Sequence, residues 1–127
     1  MMNKKPLTIL AILAVAVLAT LGLAACGGGS NPAPAPLAVN LKAEDIKYDA
    51  TTMTAKVGQP VTVSIQNAGA LEHSFVIDAL TVKLEHIQAG QTSSVTFTPT
   101  TAGTYEFYCD VPGHKDAGMK GTLTVNP

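Results

Sequence analysis

The sequence predicts an all-β fold, a two-sheet sandwich of seven to eight strands, and three observations carry that expectation. From Leu37 onward, apolar residues recur at every second position in short runs. Gly, Pro, Asn and Asp break those runs at close intervals, as strand-and-turn architectures require. No stretch longer than a turn or two carries a helical repeat. Strands that are apolar on one face bury it by stacking two sheets, and the roughly ninety residues from Leu37 onward suit a small sandwich. The strands are expected at about 38–47, 52–57, 60–67, 74–78, 80–86, 92–98, 104–109 and 120–126.

Ahead of the sandwich, Met1–Pro6 carries Lys4 and Lys5, and Leu7–Leu21 is an apolar run, the layout of an export signal. The run is short for a spanning helix, which needs roughly twenty residues. Leu23-Ala24-Ala25-Cys26 then resembles a bacterial lipobox. Residues 1–25 are therefore expected to be a lipoprotein signal peptide, with Cys26 lipidated on the extracytoplasmic face of a bacterial membrane, in the periplasm or at the cell surface. An ordinary secretory signal cut at the same small residues is the alternative. Residues 26–36 comprise that cysteine and a Gly- and Pro-rich spacer, GGGSNPAPAP, that reaches at most about 35 Å. A domain at 37–127 on such a leash meets membrane-embedded partners at raised effective concentration.

Within the domain, Val61, Val63 and Ile65 alternate with Thr62, Ser64 and Gln66. Val95 and Phe97 alternate with Thr96 and Thr98, and Pro99–Gly103 supplies a turn. Tyr105, Phe107 and Cys109 share one parity and Glu106 and Tyr108 the other, which turns the Cys109 sulfur to the core side. By the same count His73 shares the face of Phe75 and Ile77, and Leu123 and Val125 complete the last strand.

The residues that carry chemistry fall mostly in Cys109–Gly121, CDVPGHKDAGMKG, which holds a thiol, an imidazole and a thioether in Cys109, His114 and Met119. A second imidazole, His73, stands upstream in LEHSFVI. Two His and one Cys with a weak axial Met form the donor set of copper electron-transfer sites. Taken singly, each donor has a plainer reading: a surface histidine, a packing methionine, an inert buried cysteine. Their joint occurrence, with the cysteine turned inward, points to metal. Structural zinc prefers four strong Cys or His donors, an iron–sulfur cluster needs more cysteines, and a binuclear copper centre would need a second cysteine in the loop. His86, in VKLEHIQAGQ, has no such neighbours and reads as a surface residue. Cys26 is taken by the lipobox, which leaves Cys109 a free thiol in an oxidising compartment and in need of a role.

Residues 37–127 resemble a cupredoxin, and YEFYCDVPGHKDAGMKGTLTV at 105–125 is similar to the auracyanin, azurin and plastocyanin-like group. The resemblance implies a Greek-key β-sandwich and one type 1 blue copper per chain, bound by His73, Cys109, His114 and Met119. It also implies single-electron carriage between redox proteins such as c-type cytochromes or membrane electron-transfer complexes, by a monomer. In one departure, Ser74 follows the first His where many relatives have an Asn that holds the ligand loops together, so the loop tie and the reduction potential hang on what Ser74 does instead. Azurin-like sites also use a backbone carbonyl before the first His, a position taken here by Glu72.

All four donors come from the protein, which leaves no open position of the kind a catalytic metal keeps; the expected chemistry is outer-sphere electron transfer and not catalysis. An apolar docking patch is expected around His114, from Val111, Pro112, Gly113, Ala117 and Gly118 together with Ala68–Leu71. With the signal removed, six Lys and no Arg against nine Asp and Glu leave a formal charge of −3, which offers no basic face for nucleic acid. The rival readings are a copper carrier, disfavoured by only Met53 and Met119 in the mature part, a catalytic copper domain, which needs further His, and a sandwich kept only as a binding module.

Overall fold

Burial alternates along most of the strands as the two-residue repeat predicts, while His73–Ile77 is buried at every position, and the buried side chains face a single core. The structure, a computed structural model, describes residues 28, 29 and 31–127. The expected signal peptide at 1–25 and the lipidated Cys26 lie outside the described residues. Asn31–Pro36 has no regular structure, and its end is held where Gln59 Nε2 donates to the Ala35 carbonyl at 2.7 Å.

The strands are β1 (Leu37–Glu44), β2 (Lys47–Tyr48), β3 (Thr52–Lys56), β4 (Val61–Asn67), β5 (His73–Ile77), β6 (Val82–Ile87), β7 (Thr92–Phe97), β8 (Gly103–Tyr108) and β9 (Lys120–Asn126). A single 3-10 turn, Asp78–Leu80, lies between β5 and β6. They form two sheets, ordered β2-β1-β4-β7 and β3-β9-β8-β5-β6. β1 pairs with β4 and β3 with β9 in parallel, and the chain passes between the sheets five times, the Greek-key manner of closing a sandwich.

Among the described residues nine strands stand where seven or eight were expected, and the difference is local. The run expected at 38–47 breaks at Asp45 and Ile46, after which Lys47 and Tyr48 fold back on Glu44 and Ala43. The break has a physical cause outside the run: the Asp45 carboxylate is drawn to the backbone N–H groups of Ala70 and Leu71.

Leu41, Val61, Val63 and Ile65 from one sheet meet Met53, Phe75, Ile77, Phe107, Leu123 and Val125 from the other. Tyr48, Phe75 and Phe107 form an aromatic cluster with ring centroids 5.3 to 6.2 Å apart. Fully burying each such ring stabilises the fold by about 1.5–3 kcal/mol. The Tyr48 hydroxyl donates to the Ser74 carbonyl at 2.5 Å, so this cluster also grips the backbone of β5 directly beside His73. Burial, chiefly, pushes the Tyr48 phenol far above its ordinary range, so it remains a donor.

Candidate metal centre

The metal site forms where β5 begins, where β8 ends, and along the loop from β8 to β9. His73 is the first residue of β5 and Cys109 directly follows β8, both fully buried. The register of β5 against β6 slips by one between His73 and Phe75, a β-bulge of the sort that re-aims a side chain at a functional site. His86, on the bulged strand, takes φ 57°, a region that His enters more readily than most residues. Its ring is exposed, as expected, and pairs with Glu72, Nδ1 to Oε1, at 2.9 Å.

The loop carrying the other donors is closed by its own backbone. Cys109 N–H donates to the Met119 carbonyl and Met119 N–H to the His114 carbonyl, each at 3.0 Å. Between them, His114 N–H reaches the Val111 carbonyl at 3.0 Å. Gly113 and Gly118 take φ of 84° and 102°, which side-chain-bearing residues rarely adopt, and this lets the loop coil tightly enough to return Met119 beside Cys109. Met119 is fully buried and His114 is 7 % exposed.

The donor atoms of His73, Cys109 and His114 lie within 4.8 Å of one another, all from buried side chains. Cys109 Sγ stands 3.5 Å from His114 Nδ1, and the two imidazole rings are 5.1 Å apart. His73 Nδ1 is fully buried with no hydrogen-bond partner among the described residues. Leaving such an atom unpaired costs about 1–3 kcal/mol, a cost that a bound metal ion removes. Burial, and then the neighbouring His73, hold His114 below its ordinary pKa, so its ring is neutral near pH 7 with a lone pair to give. Neutral imidazoles, one soft sulfur and a thioether fit copper. The four expected donors, His73, Cys109, His114 and Met119, are thus placed as a type 1 copper site.

Ser74 does what the departure from the family pattern left open. Its hydroxyl donates to Asp110 Oδ1 at 2.5 Å and accepts from the Asp110 backbone N–H at 2.9 Å. The Cys109 sulfur accepts from the Ser74 backbone N–H at 3.4 Å, and the Ser74 hydroxyl also lies 3.5 Å from it. The Ser74 hydroxyl, chiefly, and then Lys83 hold the Asp110 carboxyl below its usual range. The ligand loops are therefore tied through Ser74 and Asp110, and hydrogen bonding around a cysteine sulfur is one of the terms that set a copper potential.

Sequence reasoning missed two supports. Asn67, fully buried, donates to the carbonyls of Leu71 at 2.7 Å and Ile87 at 2.8 Å and accepts from Gly69 N–H at 2.9 Å. It shapes the turn before His73, yet in NAG it reads as an ordinary turn residue. Asp45 reaches His73 itself, Oδ1 to Nε2, at 3.2 Å. No sequence signal marks it, since its partners lie at Ala70, Leu71 and His73.

Comparison with known proteins gives three findings. The profile of the cupredoxin-like domain family matches residues 9–125. Auracyanin-A of Chloroflexus aurantiacus is 30% identical over an alignment of 155 positions, covering 91% of this chain and 95% of that one, and the copper-resistant cuproprotein CopI of Rubrivivax gelatinosus is 29% identical over 101, covering 65% and 61%. The solved structure of reduced auracyanin from Roseiflexus castenholzii superimposes with a TM-score of 0.66 at 25% identity, covering 74% of this chain and all of that one.

Proposed function

Since the chain belongs to the cupredoxin-like domain family of electron-transfer copper proteins, we propose that it carries single electrons between redox proteins while tethered to a membrane through Cys26. The observation that carries the reading is the buried donor set, with His73 Nδ1 lacking a hydrogen-bond partner among the described residues. Copper, when bound, supplies one-electron exchange between its Cu(I) and Cu(II) states. The chain supplies the rest. Backbone bonds along Cys109–Met119 and the Ser74–Asp110 tie hold the donors in place, so either state meets the same arrangement with little rearrangement. Complete burial of His73, Cys109 and Met119 keeps water and substrates from the ion.

His114, at 7 % exposure, is the donor nearest to solvent. Around it, Pro112, Gly113, Ala117 and Gly118 are exposed and Val111 is half-buried. Leu71, 44 % exposed, is the one large apolar side chain so exposed among the described residues. An apolar face of this kind suits the small, transient contacts of redox partners. The partners would be c-type cytochromes or membrane electron-transfer complexes at the extracytoplasmic face, met by a monomer on its lipid leash.

Loading purified protein with Cu(II) tests the reading: an intense blue colour is expected, absent in Cys109→Ser. A colourless wild type would refute it. The similarity to CopI favours a second reading, a protein that binds copper in order to carry the metal. Repeated reduction and reoxidation separates the two, since an electron carrier retains its ion throughout.

A further inference from the structure

Asp45 occupies the short turn between β1 and β2, far in sequence from every donor, yet its carboxylate meets three groups of the metal centre's first wall. Oδ2 accepts from Ala70 N–H at 2.8 Å, while Oδ1 accepts from Leu71 N–H at 3.2 Å and stands 3.2 Å from His73 Nε2. Gly69 passes so close that a Cβ there would run into the carboxylate. Both oxygens accept from backbone N–H groups, the pattern of an ionised carboxylate, which can only accept.

A neutral imidazole has one N–H and one lone pair. With Nε2 against a carboxylate and Nδ1 buried without a partner, the proton belongs on Nε2 and the lone pair on Nδ1, toward Cys109 and His114. A carboxylate attracts that proton more strongly than a neutral carbonyl does, because hydrogen bonds to ionised groups are roughly twice as strong. We propose that Asp45 is a positioning residue for His73: it fixes the ring's tautomer and makes Nδ1 a stronger donor, which favours the oxidised ion over the reduced one. Outer partners of metal-bound histidines are worth about 10–100-fold in metal affinity. Because Asp45 also holds Ala70 and Leu71, the exposed turn and the donor ring share one anchor. The effect on the ion rests on the copper reading of the site; the effect on the ring does not.

Two measurements test this. In copper-free protein, nitrogen NMR of the imidazoles is expected to find the His73 proton on Nε2 in wild type and shared between both nitrogens in Asp45→Ala. A wild-type proton on Nδ1 overturns the proposal, whatever metal the site takes. In the copper-loaded protein, Asp45→Asn keeps the side-chain shape and an acceptor oxygen but loses the charge. It is expected to weaken Cu(II) relative to Cu(I) by about tenfold, raising the midpoint potential by about 59 mV. An unchanged potential with a lowered melting temperature would reduce Asp45 to a loop clamp and refute its part at the ion. Absence of copper binding by the wild type would sink the copper reading while the tautomer result still decides the role of Asp45.

Discussion

Replacing Ser74 with Ala removes the tie that joins β5 to the end of β8, and its cost can be worked from the geometry. Two hydrogen bonds disappear, the hydroxyl to the Asp110 carboxylate at 2.5 Å and the Asp110 N–H to the hydroxyl at 2.9 Å. A hydrogen bond to a charged group contributes about 1.5–3 kcal/mol and a neutral one about 0.5–1.5 kcal/mol. The Asp110 side chain is 31 % exposed, so water takes over part of the first bond in the variant. A net loss of about 2 kcal/mol follows, equivalent to about 1 M urea at a slope of about 2 kcal/mol/M. The pH dependence gives a second check. Asp110 is held below its ordinary pKa in the fold, chiefly by Ser74, so this stabilisation is present above the ordinary carboxylate range and is lost as pH falls through the depressed value. Urea unfolding of copper-free wild type and Ser74→Ala at neutral pH and near pH 3 is the assay, and the gap between them should narrow on acidification. Equal stability at neutral pH, or a gap that widens in acid, would refute the role given to Ser74.

Three further outcomes follow from the same structure. Tyr48→Phe keeps the aromatic cluster but strips the donor from the buried Ser74 carbonyl, and should cost about 1–3 kcal/mol in chemical denaturation. Phe107→Ala empties the centre of that cluster and should cost about 3–5 kcal/mol, enough to leave little folded protein at elevated temperature. Ala117→Asp places a charge on the exposed face near His114, and stopped-flow reduction by a cytochrome should slow while the visible spectrum of the loaded protein stays unchanged. Unaltered kinetics would count against docking at that face.

Much of the site could be read in the chain because three donors fall in one loop, where spacing alone brings them together. The fourth was legible through strand parity, since an inward cysteine at the end of one strand and an inward histidine at the start of another meet once their sheet is built. What escaped were residues whose partners lie far along the chain. Asp45 in KAEDIK looks like part of a solvated charged run, and only folding sets it against Ala70, Leu71 and His73. The same contact breaks the first strand in two, which is why that strand read as continuous in the sequence. Asn67 looks like a turn residue because its turn is real, but its amide is buried and spans the carbonyls of Leu71 and Ile87. Ser74 was singled out by position, while its partner Asp110, thirty-six residues later, came only from the structure.

The central claim, that His73, Cys109, His114 and Met119 hold one copper that exchanges single electrons, is tested most directly by spectroelectrochemical titration of the copper-loaded protein. The blue band is expected to bleach and return along one reversible curve with a one-electron slope, with one copper per chain retained through repeated cycles. Loss of the metal on reduction, a two-electron slope, or no blue band at full copper loading would contradict it.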